Sequence, residues 1–360
     1  MKKHLLTTSA IALGVAAAPA AAQEWDVNVG GHFQSHVVYS TAGGPGNAGA
    51  DFDGLNFRTD AEIDFAPSIT LDNGLTFSAL VELEGQSAVG NQIDHTFMTI
   101  SGDTLGTIQI GNLNSVTYNN AFQTPGVGSI GVNSGTMSGF FPLIGFPTTS
   151  PDMSGDSMKI NYITPSFNGF TLGMSYTPNV GGNSVNTGPI NRNAVGSLND
   201  VWGISADYNQ SLGAVDLGLH VGYQQGDRTL AVGSADPTDM TVGVNVGFDA
   251  FTVGMNYAET DADLGLATDK TDAWSLGATY NTGVWTLGAD VIQHNYDALG
   301  TGGADIEEMA YRIGASRNLG PGVAWDIFAI SYDGDDKGAS GAGSADIDGQ
   351  MIGTAITLNF

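Results

Sequence analysis

Leu55-Asn56-Phe57-Arg58-Thr59-Asp60-Ala61-Glu62-Ile63-Asp64-Phe65 is the stretch that decides how this chain is read. Successive side chains of a β-strand point to opposite faces. Leu55, Phe57, Thr59, Ala61, Ile63 and Phe65 therefore share one face, and Asn56, Arg58, Asp60, Glu62 and Asp64 share the other. One face suits lipid or a core; the other carries charge. A helix would scatter both sets around its axis.

The same period recurs in softer form along the chain. Val215, Leu217, Leu219, Val221 and Tyr223 alternate with Asp216, Gly218, His220, Gly222 and Gln224. Met240, Val242, Val244, Val246 and Phe248 alternate with Thr241, Gly243, Asn245 and Gly247. Sixteen such segments can be marked, the first at 25–40 and the last at 348–360. Most reach the ~9–11 residues that a tilted strand needs to cross a bilayer. Tight turns fall near 72–74, 102–104, 165–167, 211–213, 249–250, 282–283 and 320–321, and longer connections fall between them. Short turns on one side and long loops on the other are the asymmetry of an outer-membrane barrel, apolar outside and polar inside. Phe170, Phe251, Tyr280 and Trp285 fall where interfacial girdles belong. The second face is mostly glycine, serine, threonine and asparagine, which predicts a water-filled interior. The fit is poorest at 323–332, where Phe328 and Ile330 fall on that face.

Residues 1–22 read as a signal peptide. Lys2 and Lys3 begin it, a mainly apolar run from Leu5 to Ala18 follows, and Ala20-Ala21-Ala22 supplies an A-x-A cleavage site. Residues 23–360 then form one domain, because no linker or change of composition divides them. The chain has no cysteine, so neither disulfides nor thiolate chemistry enter the argument. A net charge of −27 argues against a nucleic-acid partner, which needs basic patches. Beyond the leader no apolar run is long enough for a helical span, so any membrane crossing must use strands.

These features resemble the general porins of the Gram-negative outer membrane, particularly those of α-proteobacteria. The resemblance is carried by Asn56-Phe57-Arg58, by Asp72-Asn73-Gly74-Leu75-Thr76-Phe77, by 101–111 (SGDTLGTIQIG), by 160–170 (INYITPSFNGF) and by Ile356-Thr357-Leu358-Asn359-Phe360. It implies a sixteen-stranded antiparallel transmembrane β-barrel with an inward-folded third loop, here 113–156. It also implies a homotrimer, Sec-type export to the outer membrane, contact with lipid and lipopolysaccharide, and passive diffusion of small hydrophilic solutes. Under the resemblance, the terminal Phe360 is an assembly signal.

The third loop departs from the family pattern, which places carboxylates there. Residues 113–151 contain no charge. They carry Tyr118, Phe122, Phe140, Phe141 and Phe146. Those aromatics either anchor the loop to the wall or form a partly apolar eyelet.

Charge on the inward face gives the functional expectation. Asp60, Glu62, Asp64, Glu82 and Glu84 are the wall acids with most weight, and Arg58, Lys159 and Arg312 are the inward bases. Together they line the expected pore, and the excess of acids predicts a cation preference. A substrate-selective channel with an aromatic loop track, and a secreted β-rich adhesin, are the alternatives.

Enzyme chemistry finds no support in the motifs: there is no G-x-S-x-G, H-E-x-x-H or P-loop. His32 and His36 share a strand face but stand ~13 Å apart, too far to bind one metal. Asp60, Glu62 and Asp64 are spaced regularly along a wet strand, with no apolar pocket to perturb them. No cofactor is called for. Two acidic loops, one with Glu259, Asp261 and Asp263 and one with Asp333, Asp335 and Asp336, offer oxygen ligands of the kind Ca²⁺ takes, without EF-hand spacing.

Overall fold

In a computed structural model, the protein is described over residues 24–85, 92–133, 135–140, 142–144, 148–181, 190–263, 270–297, 305–335 and 346–360. The leader assigned to 1–22 lies outside the described residues, as do Phe141, Phe146 and Asp336.

Sixteen strands form the sheet. They are β1 (Asp26–Gly43), β2 (Gly54–Thr70), β3 (Thr76–Glu84), β4 (Ile93–Gly102), β5 (Gly106–Asn112), β6 (Met158–Ile163), β7 (Phe170–Asn179) and β8 (Leu198–Leu212). They continue as β9 (Val215–Thr229), β10 (Thr238–Phe248), β11 (Phe251–Asp261), β12 (Lys270–Asn281), β13 (Trp285–Asp297), β14 (Asp305–Gly320), β15 (Val323–Asp335) and β16 (Ile347–Asn359). Ser234–Ala235 adds a two-residue extension to the end of β9. Each strand pairs antiparallel with the next, and β1 pairs with β16, from His32 opposite Asn359 to Gly43 opposite Asp348. That last pairing closes the sheet into a barrel, so no edge is left open.

Local sequence sets the turns. Asn168 and Gly169 both take positive φ (49° and 88°) between β6 and β7. Two successive left-handed residues are what a tight hairpin turn requires, and Asn-Gly is the pair that adopts it most readily.

Burial alternates as the sequence does. In β9, Leu219, Val221 and Tyr223 are exposed, whereas Gly218, His220, Gly222 and Gln224 are buried. Phe57, Leu172, Met255, Ile313 and Ile352 extend the exposed apolar face around the barrel. A soluble protein does not display so much contiguous apolar surface; lipid covers it here. Aromatic pairs mark its rims: Phe170–Tyr208 and Phe251–Tyr280, each with centroids 4.5 Å apart, and Trp285–Trp325 at 5.5 Å lie beside tight turns. Tyr176–Trp202, at 4.3 Å, lies toward the opposite end.

The face opposite the lipid departs from the expectation of small polar groups facing water. Phe328, Ile330 and Tyr332 of β15 are each at most 3 % exposed. They pack with Val38, Ile292, Ala310, Met351 and Ala355 of neighbouring strands, and with Ile130, Val132, Met137 and Phe140 of the 113–157 connection. The awkward apolar run at 323–332 thus has a packing partner that strand periodicity alone does not reveal.

Candidate functional site: the charged wall and the connection beside it

Two regions differ sharply on the face opposite the lipid. One is the wall formed by β6 to β15, against which most of the described residues of 113–157 pack. The other is the wall formed by β1 to β4, where the charge is concentrated.

On the first wall, glycine makes room. A Cβ at Gly173 would meet Val116 at 2.9 Å, one at Gly218 would meet Phe122 at 2.9 Å, one at Gly254 would meet Pro125 at 2.6 Å, and one at Gly288 would meet Val127 at 2.5 Å. Real side chains do not approach so closely. The inward glycines, read from the sequence as space for water, here seat a second layer of chain.

Polar side chains on the same wall hold that layer. Ser175 Oγ accepts from the Val116 N–H at 2.8 Å. Asn120 donates to Ser205 at 2.9 Å and to Asp207 at 3.0 Å. Asn256 donates to the Phe122 carbonyl at 2.7 Å, and Thr124 bonds Ser275. Arg312 donates to the carbonyls of Gly128 and Ile130, each at 2.8 Å, and clamps Asp290. Tyr332 Oη accepts from the Ile144 N–H at 3.0 Å and donates to Glu308, which also bonds His294 at 2.9 Å. Most of this route is invisible in the sequence, because 113–157 has no periodic pattern.

The residues singled out from sequence separate accordingly. Lys159 is 2 % exposed; its ammonium is capped by the carbonyls of Leu113, Gly155 and Ser157. Arg312 is 7 % exposed and paired. Neither stands free on the wall. Phe140 belongs to the apolar cluster, with its ring edge-on to His36. Phe122 lies over Gly218 and Gly243, 6.0 Å from the His220 ring. Tyr118 is half-buried; burial, then the nearby Asp152 carboxylate, pushes its phenol up, which keeps it neutral. Phe360 is exposed and pairs with Gly31 through backbone hydrogen bonds of 3.1 and 3.2 Å.

The second wall carries Arg58, Asp60, Glu62 and Asp64 on β2 and Glu82 and Glu84 on β3. Register brings Glu62 opposite Glu84 and Asp64 opposite Glu82. Arg58 lies against Gly139 of the connection. Two histidines join the acids. His32 faces Glu62 at 3.3 Å and Asp60 at 3.8 Å. His95, which nothing in the sequence singles out, faces Glu82 at 2.5 Å, Asp94 at 3.8 Å and Asp156 at 3.0 Å. A register shift between Val81 and Leu83 occurs in this part of the β3–β4 pairing. Such a bulge re-aims side chains, and here two sequence neighbours, Asp94 and His95, approach the same carboxylate. His32 and His36 remain apart, His36 being buried beneath Phe140.

In the acidic loops expected to offer Ca²⁺ ligands, Lys270 pairs with Glu259 at 3.5 Å and Asp261 at 3.2 Å. The Asp236 N–H donates to Asp263 at 2.8 Å. Lys270 already supplies a cation to the first of these loops, and among the described residues the groupings with metal-ligand spacing lie at His32 and His95 instead.

A family model for Gram-negative porins matches residues 7–337. Among solved structures, the chain is similar to a porin refined at 1.8 Å, with 20 % identity, TM-score 0.60, and 93 % of this chain and 100 % of that one covered. It is similar to OmpT of Vibrio cholerae in a trimer form, with 14 % identity, TM-score 0.62 and coverage of 93 % and 99 %. It is also similar to a mutant porin of Rh. blastica, with 19 % identity, TM-score 0.57 and coverage of 93 % and 100 %. A search of curated proteins finds no match.

Proposed function

Because the chain belongs to the Gram-negative porin family and is thereby an outer-membrane barrel channel, we propose that it is a general diffusion pore for small hydrophilic solutes that prefers cations. The observation that carries this reading is the imbalance on the β1–β4 wall. Asp60, Glu62, Asp64, Glu82 and Glu84 share that wall with Arg58, while Lys159 and Arg312 are buried against carbonyls and a carboxylate. Fixed carboxylates beside a water path raise the local cation concentration and repel anions.

In this reading the 113–157 connection is the third loop, folded inward to narrow the barrel, and the open path runs between it and the acidic wall. Its aromatics serve as anchors. Phe122 and Phe140 are engaged with wall residues, which favours a general pore over a channel with an aromatic binding track. Residues 1–22 direct export, Phe360 serves barrel assembly, and the working unit is a homotrimer in contact with lipopolysaccharide. Selection is by size and charge, with no chemical step and no cofactor.

The test is a reversal potential for the reconstituted protein in a tenfold KCl gradient. The sign for cation preference is expected, and the opposite sign overturns the proposal. Flux linear in solute concentration supports a general pore; saturable flux supports a selective one.

A further inference from the structure

We infer that His95, Glu82 and Asp94 form a binding site for a divalent transition-metal cation, of the kind Zn²⁺ represents, on the acidic wall. One ligand atom from each lies within 4.8 Å of the other two. Tetrahedral bonds of ~2 Å place ligands ~3.3 Å apart, so small side-chain rotations complete the cage. The same imidazole nitrogen, Nδ1, faces both carboxylates, at 2.5 Å from Glu82 and 3.8 Å from Asp94.

The other nitrogen supplies the independent observation. His95 Nε2 lies 3.0 Å from Asp156 Oδ1, with the Asn114 amide at 3.2 Å. A carboxylate accepting the far N–H of an imidazole orients the ring and keeps that proton on Nε2, so that Nδ1 is the nitrogen that gives up its proton to a metal ion. Metal-ligating histidines are nearly always held this way. Asn114 and Asp156 stand at the two ends of the 113–157 connection, so the site joins wall and connection at its roots.

The second grouping, His32 with Asp60 and Glu62, is differently built. Nε2 faces Asp60 and Nδ1 faces Glu62, so no single nitrogen is presented to both acids.

The donor set defines the ligand class. One imidazole nitrogen with two carboxylates suits zinc, nickel or copper, whereas Mg²⁺ and Ca²⁺ favour oxygen alone. Binding displaces the proton from Nδ1 and therefore weakens in acid. A bound dication also offsets two carboxylates of the wall, so zinc reduces the cation preference of the pore.

The experiment titrates folded, detergent-solubilised protein with ZnCl₂ by calorimetry and repeats the reversal-potential measurement with and without zinc. One zinc per chain, lost in His95→Ala, weakened about 10–100-fold in Asp156→Asn and retained in His32→Ala, is the expected result. Zinc should lower the cation preference, a chelator should restore it, and Mg²⁺ at equal concentration should not reproduce it. Equal zinc affinity in wild type and His95→Ala overturns the site, as does an equal response to Mg²⁺. If His95→Ala does not fold, Glu82→Gln carries the same test with the imidazole in place. The calorimetric result stands or falls independently of the general-pore reading.

Discussion

Arg312 and Asp290 face each other across β14 and β13, with Nε 2.8 Å from Oδ1 and Nη2 3.0 Å from Oδ2. Both are buried, and the remaining guanidinium nitrogen holds the carbonyls of Gly128 and Ile130. The pair thus joins two strands and the 113–157 connection at one point. Arg312→Ala removes the cation and leaves Asp290 buried alone, a change that costs about 3–5 kcal/mol in comparable pairs. The variant is expected to unfold at lower denaturant concentration and to conduct with larger, noisier steps. Arg312→Ala with Asp290→Ala should recover part of the stability but not the quiet conductance. Denaturant titration and single-channel recording check both.

Glycine on the covered wall gives a second prediction. At Gly277 an added Cβ would meet Thr124 at 2.6 Å and Asp290 at 2.9 Å, whereas at Gly203 its nearest neighbour is 3.4 Å away. Gly277→Ala should destabilise by about 1–3 kcal/mol, the range for overpacking, and disturb conductance. Gly203→Ala should leave both nearly unchanged. Heat-modifiable migration and conductance compare them directly.

The acidic wall can be neutralised in one step. Asp60→Asn, Glu62→Gln and Asp64→Asn together should reduce the reversal potential in a tenfold KCl gradient while the barrel still folds. The difference from wild type should shrink toward 1 M salt, where the Debye length falls to ~3 Å. An unchanged potential would place the selectivity elsewhere.

The two faces respond differently to the same residue. Met255→Arg sets a charge on the lipid face, further from the Phe251–Tyr280 rim, and should cost on the order of 2–4 kcal/mol near the bilayer midplane. Gln34, on the other face of β1 and opposite Asp60, should accept arginine with little loss of folded protein and a shift toward anions. Equal folding yields for the two variants would mean that the faces are reversed.

The barrel was legible in the sequence because lipid imposes a simple demand. One face of each strand must be apolar, and period-2 alternation records that demand residue by residue. The hairpin between β6 and β7 was legible in existence but not in place: the sequence reading sets its turn at 165–167 beside Pro165, whereas the left-handed pair is Asn168-Gly169 and the strand begins at Phe170. The route of 113–157 was not. It is fixed by single contacts, such as Thr124 with Ser275 and Val127 over Gly288, each between segments remote in sequence. The small residues beneath it signalled space, and space does not say whether water or chain fills it. His95 is not legible in the sequence, because its neighbours depend on an irregular register between β3 and β4 and on Asp156, 61 residues away.

The way the connection is held bears on the order in which the protein can fold. Residues 115–128 are laid down before the strands that seat them. Val116 waits for Ser175, 59 positions later, and Gly128 waits for Arg312, 184 positions later. Each contact must close a long stretch of chain before it returns any stability. Strand pairing between sequence neighbours needs no such wait. The sheet should therefore form first as a loosely filled cylinder, and lacing of the connection along its glycine track should follow as a later, separable event. A mutation confined to that track would then trap a closed barrel whose channel had not yet acquired its final bore.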